Sequence, residues 1–211
     1  MKTDTKTLQQ MCPVLRNNWK RHKPICDHNV EEADGKEPTL QRHLWHWVAR
    51  FDTSLLHACI RGLNLKYEWE NLDEGAVVLF MEPRSHPNVA CRWRIQHAGI
   101  FRNEDILQIL AEFKMAEQFR EQVYPMHARE RMRLQKSSGG DADYAKILII
   151  AGNVGADRVE GNHPPTLRWT PTDVSKGMVA RIPMERYEGD WVQDLKDQVE
   201  RDCPLNVAQR L

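Results

Sequence analysis

His22 and Cys26, separated by three residues, put an imidazole and a thiol at a spacing that suits two neighbouring corners of a zinc tetrahedron. Cys12 and His28 are the nearby residues with matching ligand chemistry, so one residual metal site would draw on Cys12, His22, Cys26 and His28. Two well-spaced ligands do not close a structural site, which normally takes four, and nothing in the sequence holds the loop carrying Cys12 before a metal binds. The other reactive groups are more scattered. His43, His46 and His57 flank one helical stripe without a carboxylate or thiolate at ligand spacing, and are expected at the surface or its boundary. Cys59 and Cys91 fall on expected core faces, where a thiol is an inert apolar group. Asp141 with Asp143, and Glu31 with Glu32, read as solvated acids in polar loops. Gly152-Asn153-Val154-Gly155 follows a strong strand but has neither the glycine pattern nor the Gly-Lys ending of a phosphate loop, and reads as a strand-exit turn. No catalytic residue and no cofactor-binding residue is assigned.

The string Asn18-Trp19-Lys20-Arg21-His22-Lys23-Pro24-Ile25-Cys26 resembles the C-terminal end of the MYND family of zinc fingers, in which a short helix carries a tryptophan, basic residues, then His and Cys. In that family eight ligands hold two zinc ions in interleaved fashion. The resemblance would place a cysteine pair at positions held here by Gln10 and Val14, and the earlier cysteine pairs have no counterpart before Cys12. An intact finger is therefore excluded for this chain alone. What the resemblance leaves is a remnant over residues 1–26, from a gene model or splice form that starts inside a larger protein or from a decayed finger; upstream codons for C-x2-C pairs would mark the former. Residues 40–203 also resemble, in general layout, the uncharacterised domain that follows MYND fingers in many fungal proteins. The implied role is a non-enzymatic interaction protein with a protein or short-peptide partner. The alternative is an enzyme whose pocket is assembled from residues distant in sequence.

Bulk chemistry narrows the partners. Lys plus Arg and Asp plus Glu each number 30, so no global field gathers nucleic acid or an anionic membrane. Local basic clusters at Arg16, Lys20, Arg21, Lys23 and at Arg129, Arg131, Arg133, Lys136 read as solvated helix faces. The five cysteines are odd in number and dispersed, and no apolar segment opens the chain; a soluble intracellular protein with reduced thiols is expected. The longest apolar runs are far shorter than the ~20 residues of a membrane-spanning helix.

The elements that must position these residues follow from periodicity. Residues 27–38 are polar, broken by Gly and Pro, and read as a linker; an α+β domain over 39–203 and a tail over 204–211 follow. Leu44, Trp47, Val48, Phe51, Leu55, Ala58 and Cys59 recur at helical spacing and predict a helix ending near Gly62. Trp45 lies off that stripe and needs cover from the strand region, the linker or another protein. Ala76–Met81 and Cys91–Gln96 predict an antiparallel strand pair, the first more central because both its faces are apolar. Asn103-Glu104-Asp105 is a helix start with the Asn103 amide as its cap, Pro125 ends or kinks that helix, and Arg129–Lys136 continues as a helix with little core to bury. Lys146–Ala151 predicts the clearest buried strand and Gly177–Ile182 a further one, with an irregular proline-containing stretch between them. Trp191, Leu195 and Val199 mark a last amphipathic helix. The order implies helices packed on a mostly antiparallel sheet.

Overall fold

The computed structural model describes residues 40–114, 116–152, 166–183 and 187–205; Cys12, His22, Cys26, His28 and the linker lie outside them. The domain is α+β. Four principal helices, α1 (Leu40–Gly62), α2 (Asn103–Glu112), α3 (Tyr124–Ser137) and α4 (Trp191–Glu200), flank strands β1 (Gly75–Pro83), β2 (Trp93–Arg102), β3 (Ala142–Ala151) and β4 (Thr166–Ser175). The sheet order is β2-β1-β3-β4, with two antiparallel pairs joined by a parallel seam in which Val77 faces Ile147 and Met81 faces Ala151.

Both faces of the seam must be covered, because a strand that is apolar on both sides has nowhere to show water. Val77, Leu79 and Met81 of β1, with Ala145, Ile147 and Ile149 of β3, meet the stripe of α1 and Leu195 and Val199 of α4. The alternate residues Ala76, Val78, Leu148 and Ile150 meet Ile106 and Leu110 of α2 and Phe119. Every residue of the predicted α1 stripe is buried, Trp47 and Phe51 completely. Truncating Trp47 would cost about 3–5 kcal/mol by the usual large-to-small scale.

Helix α1 stops by its own chemistry. Leu65 N–H reaches Ile60 C=O at 3.0 Å while Asn64 adopts φ 56°, so Asn64 provides the left-handed residue that closes a Schellman-type end. Gly62 is needed just before it: a Cβ there would lie 2.7 Å from Ile100 Cδ1 and 3.0 Å from the Trp191 ring. At the other end of the chain, Asp190 caps α4 by accepting from Val192 and Gln193 N–H at 2.9 and 3.2 Å.

Four expectations need correction. The strand after β3 is Thr166–Ser175, not Gly177–Ile182; the latter begins with a helical turn, Lys176–Ala180, because Ser175 Oγ caps it by accepting Met178 N–H at 3.1 Å. Pro171 is tolerated in β4 because that strand is a sheet edge, where a residue lacking N–H need not break a second ladder. Cys91 sits in a 3-10 turn, and β2 starts at Trp93 and extends to Arg102. Asn103 does not cap α2. Asp105 accepts Arg102 N–H there, while the Asn103 amide is engaged with Asp73 and Lys146. The helix before Pro125 is also interrupted earlier than expected: α2 ends at Glu112, Lys114 takes φ 59°, and a π-helical turn over Phe119–Val123 leads into α3, where Pro125 stands in the first turn. Among the described residues no helix is long and apolar enough to cross a membrane.

Candidate functional site

A cleft of about 340 Å³ opens between α1 and α4, lined by Ser54, His57, Ala58 and Arg61 from α1, Trp191, Asp194, Leu195 and Gln198 from α4, and by Glu188 and Leu205. The two helices present these residues together because their apolar stripes share one core, which turns their flanking positions toward each other. Tyr187 fixes the segment that forms one wall: its hydroxyl accepts Lys66 N–H at 3.0 Å and lies 3.2 Å from Ile60 C=O.

Some of the cleft's polar groups are engaged with the protein itself, while Arg61 Nε and Gln198 Oε1 are buried without a hydrogen-bond partner among the described residues. Arg61 pairs through Nη1 with Asp194 and donates from Nη2 to Glu188 C=O at 3.0 Å, with its side chain only 10% exposed. Ser54 Oγ accepts Leu205 N–H at 3.0 Å. These contacts tie α1 to α4 and to the segment after it, so they set the shape of the cleft. Its apolar lining is Ala58, Trp191, Leu195 and Leu205.

Among the described thiols, Cys59 and Cys91 are placed as small core groups and Cys203 is exposed. Cys59 is fully buried, and desolvation pushes its thiol well above the ordinary range. Cys91 Sγ donates to Asp202 Oδ1 at 2.8 Å; burial and then that hydrogen bond push it up to about 11. A thiol that must stay protonated to donate is a poor nucleophile. Arg50 joins the same carboxylate, linking α1 to the end of α4. Arg84 adds a second tie there, donating to Cys91 C=O at 2.7 Å and Val199 C=O at 2.9 Å.

A second polar cluster lies on the opposite face of the sheet. Arg131 of α3 forks onto Asp143, with Nε to Oδ1 at 2.7 Å and Nη2 to Oδ2 at 2.6 Å, and also pairs with Asp73. Gln135 donates to Asp143 at 2.9 Å. Lys146, 5% exposed, donates from Nζ to Asp73 C=O at 2.9 Å and Asn103 Oδ1 at 3.0 Å. Burial lowers its pKa to about 8, with Arg131 acting in the same direction against the pull of Asp73 and Asp143. His127 packs edge-on against Trp169, and burial first, then Lys146 and Arg131, lower its pKa.

These positions revise the sequence reading. Asp143, expected to be solvated beside Asp141, is 2% exposed and sits inside an ion-pair network, because β3 begins at Ala142 and carries it under α3. Arg131 turns inward, while Arg129, Arg133 and Lys136 face solvent. His43 and His57 are buried and only His46 is exposed, and among the described residues no group of three or more His, Cys, Asp or Glu is arranged to hold a metal. Trp45 is covered only in part from within the domain: the Arg168 guanidinium of β4 lies 3.1 Å from its ring centroid, and the residue stays 37% exposed. Lys146 had a signal that the sequence reading did not use, a charge at the head of the apolar run 146–151. The convergence of Arg61, Glu188 and Asp194 had no local signal.

No protein-family model matches the chain, and neither the curated proteins nor the solved structures yield a match.

Proposed function

We propose that this chain is a non-enzymatic interaction protein whose α+β domain receives a short segment of a protein partner in the cleft between α1 and α4. The observation that carries this reading is the apolar lining, which includes Trp191, beside polar groups of which Arg61 (to Asp194 and the Glu188 C=O) and Ser54 (to the Leu205 N–H) are already engaged within the domain. Such a lining recognises shape and apolar side chains, and its volume suits one or two of them. A displayed library of random peptides tests it. Sequences enriched on the wild type are expected to be lost on Leu205→Arg, which sets a charged chain at the rim; equal enrichment on both proteins would refute the cleft as the receptor.

The second reading, an enzyme, takes its support from the same place, where Ser54, His57, Arg61, Glu188 and Asp194 converge. Turnover of chromogenic ester or phosphate substrates that disappears in His57→Ala would replace the first reading with this one.

Residues 1–26 enter the proposal through their resemblance to the end of a MYND finger, with His22, Cys26 and Cys12 as the remaining ligand candidates for zinc. With the ligand set incomplete, elemental analysis is expected to find well under one zinc per chain. A full equivalent, abolished by replacing both His22 and Cys26, would show a working metal site.

A further inference from the structure

Helix α3 is seated on the sheet in an unusual way. It buries no residue fully, and its inward side is held through Arg131 and Gln135 to Asp143 and through ring contacts of Tyr124 with Phe119 and of His127 with Tyr144 and Trp169. Its outward side carries a cationic stripe. At about 100° per residue, Met132, Pro125, Lys136, Arg129, Arg133 and Met126 follow one another around roughly a third of the helix circumference, with Arg129 Nε donating to the Pro125 C=O at 3.2 Å. Three cations thus form a stripe flanked by two methionines, which are 62% and 51% exposed at Met132 and Met126. Glu130, beside the stripe, offers one carboxylate, which lies 3.4 Å from Arg133.

We infer that this outer face of α3 is a second docking surface, distinct from the α1–α4 cleft, and that its occupant is an acidic protein segment with apolar residues on either side of its carboxylates. Charge complementarity sets the sign: three cations stand together on one face of a chain whose formal net charge is zero. The order of residues around the helix sets the class. A bilayer takes up a helix whose apolar residues lie together with cations at the margins, whereas here the cations hold the centre and the apolar groups the flanks. A nucleic-acid phosphate backbone would use the arginines and lysine but leave both methionines without a role. Exposed methionines are adaptable contacts for an apolar side chain of a protein.

The test is fluorescence anisotropy of the full chain with a labelled peptide of alternating glutamate and leucine, in parallel with phosphatidylserine vesicles and a DNA duplex. The wild type is expected to bind the peptide in preference to vesicles and duplex. Arg129→Glu/Arg133→Glu/Lys136→Glu is expected to weaken it on the order of a hundredfold, and Met126→Ser/Met132→Ser on the order of tenfold. All five side chains face solvent, and a thermal melt of each variant verifies that the fold is retained. Failure of the peptide to bind, binding unchanged in either variant, or tighter binding to vesicles or duplex would each overturn the proposal.

Discussion

Replacing Lys146 by methionine should stabilise the protein near neutral pH, although it removes two hydrogen bonds. In the folded chain the ammonium is 5% exposed and its pKa is lowered from 10.5 to about 8, with desolvation as the leading cause. The unfolded chain therefore holds the proton more tightly than the folded one between those values, and wild-type stability must rise as pH climbs through that window. With those two values, the gain between pH 7 and pH 9.5 is about 2 kcal/mol. Below pH 8 the folded state carries nearly the whole desolvation cost, about 3 kcal/mol for a shift of this size. Methionine has a similar stem and no charge. Its variant loses the contacts to Asp73 C=O and Asn103 Oδ1, about 1 kcal/mol each, and Asp73 is exposed enough for water to take over. A net gain of about 1 kcal/mol at pH 7 follows, turning into a net loss of similar size by pH 9.5 as the wild type sheds its proton. Urea denaturation of both proteins at several pH values reads this directly, and taking the difference cancels other groups that titrate in the same window. Parallel pH profiles for the two proteins would refute the reasoning, since they would mean that Lys146 keeps an ordinary pKa.

Arg131→Ala should destabilise by about 3 kcal/mol because it strands the Asp143 carboxylate, 3% exposed, inside the domain; Arg133→Ala, which loses only a solvent-exposed pair with Glu130, should cost under about 0.5 kcal/mol in the same denaturation assay. Trp45→Ala should cost about 1–2 kcal/mol through lost contact with Arg168, and Trp45→Phe should recover part of it. Maleimide labelling followed by mass mapping should modify Cys203 in the native protein and reach Cys59 and Cys91 only in denaturant. Rapid native labelling of Cys91 would show that its bond to Asp202 opens.

What was legible in the sequence is what periodicity encodes. Helix α1 announced itself because seven apolar residues recur on one helical face, and β1 and β3 because a strand buried on both sides reads as an unbroken apolar run. Edge strand β4 was hidden. Its alternation of Leu167 and Trp169 with Arg168 and Thr170 is interrupted by Pro171, whereas Gly177–Ile182 has the apolar composition of a strand and is decided only by the local cap at Ser175. The candidate cleft was illegible for a different reason. Arg61 and Asp194 are 133 residues apart, and their pairing follows from how α1 and α4 share a core, which no local pattern states. Asp143 misled because the residues before it are a glycine turn, and an acid one position inside a strand looks the same in sequence as one still in the loop.

The parallel seam also dictates an order of events. Val77 and Ile147 face each other across 70 positions of chain, while each strand of the seam has its antiparallel partner nearer in sequence. Closing the shorter loops first costs less chain entropy, so β1–β2 and β3–β4 form as separate pairs before the halves meet. Until they do, each pair presents a raw edge made of this protein's most apolar strands, open to the same edge on another molecule. Yield on refolding should therefore fall steeply with protein concentration, and substitutions along Val77–Met81 that weaken the seam should lower that yield by more than their effect on equilibrium stability would suggest.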